Sequence, residues 1–78
     1  MSQQRKYRFQ AFIDVDVPGM TAVAVRLDED LLVEDHVTVD EAFLRQWAGH
    51  RAQLRAKAEG LEPNGQFTIG TFEWQRTA

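Results

Sequence analysis

Between Tyr7 and Val17 the chain alternates strictly. Tyr7, Phe9, Ala11, Ile13, Val15 and Val17 hold one parity, Arg8, Gln10, Asp14 and Asp16 hold the other, and Phe12 is the only apolar residue out of phase. Successive side chains of a strand point to opposite faces, so the pattern predicts a half-buried strand with one apolar face. That commits the chain to a sheet with another layer laid over it. A second alternating run, Thr21, Val23, Val25 and Leu27, follows the turn signal Pro18-Gly19, where Pro fixes φ and Gly accepts a positive one.

The two parities constrain the connection. A two-residue loop at Pro18-Gly19 would set Val15 opposite Ala22 and turn the β-branched set of the second strand away, because a one-residue slip inverts every side chain. An odd loop of three or five residues instead sets Ile13 opposite Val23 or Val25, and Phe9 or Ala11 opposite Leu27. It also brings Arg8 opposite Asp28 or Asp30, a cross-strand charge pair. Asp28-Glu29-Asp30 is expected to end the hairpin. Leu31, Val33 and Val37 then belong either to a short edge strand or to a loop that plugs the core.

Thr38-Val39-Asp40-Glu41 reads as a capping box, with the threonine hydroxyl on the N3 amide and Glu41 reaching back. A helix is predicted from about Val39 to Glu59, with Gly60 as its left-handed stop. On a helical wheel Val39, Phe43, Trp47, His50, Leu54 and Ala58 share a stripe about 100° wide, the expected core face. A helix of that length, about 30 Å, matches a nine- or ten-residue strand and can cover the sheet. Opposite the stripe stand Gly49, Ala52 and Ala56, flanked by Ala42 and Ala48. Such small residues either admit a second helix or sheet at close range or simply favour the helix, in which Gly49 costs about 1 kcal/mol relative to Ala.

Glu62-Pro63-Asn64-Gly65 predicts a turn. In the last strand, Gln66 to Gln75, Phe67 and Ile69 share one parity and Phe72 and Trp74 the other. A bulge at Gly70-Thr71 would return all four to one face. The alternative is a strand buried on both sides, whose second layer comes from a partner. The expected fold class is therefore α+β with ββαβ order and room for a short extra edge strand at 31–37. Its three- to four-stranded, mainly antiparallel sheet is covered on one face by one long helix, with the first strand between the second and the last. Residues 1–5 read as a short flexible tail and 6–76 as a single domain.

A chain of 78 residues has a thin core, and small domains compensate with disulfides, metals or oligomerisation. Cysteine is absent, and His36 and His50 are too few for a structural metal site, so neither metal nor cofactor is expected. A well-packed monomer or a homo-oligomer remains. Apolar residues at 44% and charged ones at 27% describe a globular chain rather than a disordered one. A net charge of −3 argues against a general nucleic-acid binder. No apolar run approaches the ~20 residues of a membrane span, and the start lacks the apolar core of a secretory signal. The cytoplasm is the expected compartment.

Chemistry is sparse. Ser2 is the only serine, so no nucleophile–base pair suggests itself, and no enzyme is expected. Asp14 and Asp16 form a carboxylate pair on the polar face of a strand, and the acidic residues 28–30, 34 and 35 lack the spacing and glycine of a calcium loop. His50 is either a core-edge histidine or a pH-responsive contact. Arg45, Arg51, Arg55 and Lys57 decorate the helix without forming one stripe.

The element order, with Tyr7 opening the first strand and Thr38-Val39-Asp40-Glu41-Ala42 opening the helix, resembles the partial RNase H-like module of HicB-type antitoxins over about residues 7–55. The resemblance implies an inhibitor of a toxin RNase that also regulates its own operon. The Pro-Gly-Cys-like segment of that family is missing before the helix, and a β-grasp arrangement fits the same order. Both are likenesses of fold and do not carry function.

The function expected is a small non-enzymatic protein–protein interaction module, homo-oligomeric or an accessory or inhibitor protein of phage, mobile-element or antitoxin type. Its candidate interface is Arg45, Gly49, Ala52, Ala56, Phe72 and Trp74. The alternative is a nucleic-acid-associated regulator using Arg5, Lys6, Arg51 and Arg55. No small-molecule ligand and no membrane partner are expected.

Overall fold

A computed structural model describes residues 4–77. Its elements are β1 (Gln4–Val15), β2 (Val23–Glu34), α1 (Glu41–Ala58) and β3 (Phe67–Arg76). β1 lies between β2 and β3 and is antiparallel to both, so the fold is the expected α+β ββαβ arrangement with three strands. Tyr7, Phe9, Ala11, Ile13 and Val15 are buried on the helix side of β1, as its alternation requires. Gln4 and Arg5 belong to β1 rather than to a tail; the rest of the expected tail, residues 1–3, lies outside the described residues.

The hairpin register is odd with odd. Ile13 pairs with Val25, Ala11 with Leu27 and Arg8 with Asp30. A three-residue loop centred on Gly19 would give this register, but the ladder stops at Val15 and Val23 and leaves 16–22 as a longer connection. Within it the Met20 amide donates to the Val17 carbonyl at 3.1 Å and Gly19 takes φ +83°, a type II turn.

Asp28-Glu29-Asp30 does not end the hairpin. β2 passes through it unbroken, and residues 31–34 continue the same strand instead of forming a fourth. The reason is parity: Leu31 and Val33 remain in phase with Val25 and Leu27 on the buried face. Glu29 shares that face and is accommodated because Arg51 Nε stands 2.9 Å from its Oε1. Asp28 and Asp30 turn outward to Arg8 and Lys6, at 2.7 Å and 3.6 Å respectively.

The helix begins two residues later than the capping box implied. Asp40, extended at φ −128°, is the N-cap, and its carboxylate accepts from the Phe43 amide at 2.8 Å. This sets Val39 and Leu44 at the positions of a hydrophobic staple. At the other end Leu61 N–H bonds the Ala56 carbonyl and Gly60 N–H that of Lys57, a Schellman motif closed by Gly60 at φ +88°.

The helix is rotated from the expected face. Leu44, Ala48, Gly49, Ala52 and Ala56 are buried against the sheet, whereas His50, Leu54 and Ala58 are exposed and Phe43 and Trp47 only partly covered. The sheet already supplies bulk in Phe9, Ile13, Leu27 and Val15. Close packing over such side chains requires small residues on the helix. A Cβ on Gly49 would lie 2.2 Å from the Phe67 ring, which occupies that space.

In β3 the register shifts where Phe12 pairs with Thr71 and Ile13 with Ile69, leaving Gly70 as the extra residue. This bulge brings Phe67, Ile69, Phe72 and Trp74 to the helix side, opposite Val15, Ile13, Ala11 and Phe9.

Candidate functional site

Gly49, Ala52 and Ala56 are core residues and present no surface. Their candidacy as an interface is corrected by the rotation of the helix: the strip of small residues is the helix's own seat on the sheet. The large apolar residues displaced from that seat lie along the outer flank, where Leu54 is exposed and the Trp47 and His50 rings are 6.3 Å apart. His50 is solvent-facing, which removes the reading of it as a core-edge group.

Arg45, Phe72 and Trp74 do come together on the β3 side. The Arg45 guanidinium lies 5.4 Å from the Phe72 ring centroid, within cation–π range. Phe72 stacks on Phe9 at 6.2 Å and Trp74 tilts against Tyr7 at 6.0 Å. Neither is sealed: Phe72 is half-buried and Trp74 is 38% exposed. β3 has no fully buried residue, although four of its apolar side chains face the helix side. An open concavity on the sheet, lined by Arg8, Gln10, Glu73, Trp74 and Gln75, adjoins this strand.

The basic candidates are dispersed and engaged. Arg51 pairs with Glu29, and Arg55 donates to the Arg26 carbonyl at 3.2 Å. Lys6 pairs with Asp30. Arg5 reaches the carbonyls of Glu34, Asp35 and Val37, clamping the turn between β2 and α1. Its Nε stands 4.0 Å from Asp35 Oδ1, beyond hydrogen-bond range, and is buried without a hydrogen-bond partner. These cations hold elements together, each beside an acid or a carbonyl, and do not converge on one patch.

The carboxylate pair Asp14 and Asp16 is split by the end of β1. Asp16 accepts from the Asn64 side-chain amide at 2.5 Å, and its backbone bonds Asn64 and Gln66, so it anchors the turn into β3. Asp14 stays on the open face. Among the described residues no group of three or more His, Cys, Asp and Glu is placed to hold a metal ion, and no helix is long and apolar enough to cross a membrane.

Sequence reasoning missed Glu29 on the inner face, which was legible as the one acid in the apolar parity of 25–33. In comparisons with protein-family models, curated proteins and solved structures, the chain matches none.

Proposed function

We propose that this chain is a small protein–protein interaction module with no catalysis of its own, engaging its partner through β3. The observation that supports this most is the incomplete burial of Phe67, Ile69, Phe72 and Trp74 on an edge strand. Edge strands offer unpaired backbone groups for a partner's strand, and neighbouring side chains supply selectivity. Half-covered aromatics beside such an edge gain burial when a partner docks. An accessory or inhibitor protein of the cytoplasm fits this reading. Nucleic-acid binding gains no support from the geometry, because Arg5, Lys6, Arg51 and Arg55 are spent on internal contacts.

Trp74→Glu tests the reading. The self-association of the wild type, or its complex with a purified partner, should be lost in light scattering while the variant keeps its fold by circular dichroism. Association unchanged in Trp74→Glu would refute the assignment to β3. Binding to DNA or RNA that collapses between about 50 and 200 mM salt, with no protein complex formed, would favour the nucleic-acid alternative instead.

A further inference from the structure

Phe12 is the one apolar residue of 7–17 out of phase, and neither the core nor the β3 edge absorbs it. It sits on β1, the middle strand, on the sheet face without a helix, and is 51% exposed. Its cross-strand neighbours are Arg26 on β2 and Thr71 on β3, and the next outward row sets Ala24 and Thr68 beside Asp14. Short side chains on the β3 flank leave the ring standing clear there. On the β2 flank the Arg26 guanidinium lies 5.8 Å from the ring centroid, within cation–π range.

The charges of this face fall into two groups. Toward one end Lys6 and Arg8 are matched by Asp28 and Asp30. Around Phe12 the balance fails, because the carboxylates of Asp14 and Glu73 form no ion pair among the described residues. Same-face residues of a strand follow one another at about 7 Å. Asp14 stands one such step from Phe12 along β1, and Glu73, opposite Gln10, stands one step the other way on β3. A hollow beside the ring is lined in part by Gln10, Arg26, Asp28, Thr71 and Glu73.

We propose that this face docks an arginine-bearing segment of a protein partner, with a guanidinium on the free side of the Phe12 ring and the carboxylates of Asp14 and Glu73 as its counter-ions. Charge selects the occupant. A guanidinium is planar and weakly hydrated, and it stacks on an aromatic ring while its N–H fork bonds a carboxylate. A nucleobase would stack on the same ring only by bringing its phosphate beside two unpaired carboxylates. Arg26 makes the same contact from within the chain, and its charge is the one feature beside the ring that opposes a second cation. The side chains of Phe72 and Trp74 lie on the other face of the sheet. Docking at Phe12 therefore goes beyond the reading of β3 as an interaction edge and is judged separately from it.

NMR titration with a short peptide of alternating arginine and serine tests the docking, with the lysine and glutamate counterparts and oligothymidylate as competing probes. At about 50 mM salt the arginine peptide should shift the amides of residues 10–14 and 71–73 and bind more tightly than the lysine peptide. Phe12→Thr keeps a strand-forming residue and should weaken binding about two- to fivefold. Asp14→Asn combined with Glu73→Gln should weaken it at least as much. Arg26→Gln should tighten it, because the charge removed competes for the ring. A dissociation constant unchanged in Phe12→Thr overturns the proposal, since charge alone would then account for binding. Weaker binding in Arg26→Gln, or a preference for the glutamate peptide or oligothymidylate, overturns the cationic occupant. Shifts of the same amides on raising the protein concentration alone overturn it in favour of a second copy.

Discussion

β2 and β3 both border solvent, one on each side of β1, yet their chemistry differs throughout. β2 carries Asp28, Glu29 and Asp30, each met by a cation from β1 or the helix. Side chains of Arg55 and Arg5 reach its carbonyls at Arg26 and Glu34. Its inward-facing residues Val25, Leu27, Leu31 and Val33 are buried, while Leu32 on the other face is 60% exposed. β3 has Glu73 as its one acid, a bulge, and four apolar side chains none of which is sealed. Charges and bulges are the usual protection of an edge strand. β2 has charges along its length, whereas β3 has a bulge near its middle and is otherwise suited to pairing.

The largest expected effect separates the two strands by burial. Leu27→Ala removes a side chain only 1% exposed and should cost about 2–5 kcal/mol in denaturant unfolding. Ile69→Ala, on the half-buried face of β3, should cost about 1–2 kcal/mol at concentrations where the chain is monomeric. Equal losses would mean that β3 is packed as tightly as β2, and the contrast between the edges would fail.

Gly49→Ala sharpens the comparison where the helix meets β3. On an exposed helix face this change stabilises by about 1 kcal/mol. Here the new Cβ meets the Phe67 ring at 2.2 Å, and β3 must give way. A net loss of about 1–2 kcal/mol is expected, and Phe67→Leu in the same chain should recover part of it. A gain in melting temperature would show that the ring swings aside freely and that β3 is loosely held even at its start.

The same glycine shows where the sequence was legible. Alternation in β1, the odd register, the pairing of Arg8, the stop at Gly60 and the bulge at Gly70 all follow from local backbone rules, and each is present. The facing of the helix does not follow from such rules. Phe43, Trp47 and Leu54 form the more hydrophobic stripe, but the choice of face depends on the space left by Phe9, Ile13 and Leu27, which only the assembled sheet defines. Leu44, Ala48, Ala52 and Ala56 repeat every fourth residue, a pattern that a volume argument could have found. The candidate interface shared this error: its small helix residues Gly49, Ala52 and Ala56 were core, while Arg45, Phe72 and Trp74 stood together at the surface.

The smallest effect concerns the ion pair that joins the helix to β2. Arg51 and Glu29 are 2.9 Å apart, with Glu29 mostly covered and Arg51 about 41% exposed, so solvent discounts much of their attraction. A double-mutant cycle with Glu29→Gln and Arg51→Met should give a coupling of about 0.5–1 kcal/mol, reduced in 1 M salt. The ion pair of Arg45 and Glu41, 3.8 Å apart within the helix, should give only about 0.3 kcal/mol and bears on no strand. On the β3 side the helix makes a cation–π contact instead, Arg45 over Phe72 at 5.4 Å. If the Glu29–Arg51 coupling vanishes, the hold of the helix on β2 rests on packing alone, and the charges of β2 serve only to keep other strands off its edge.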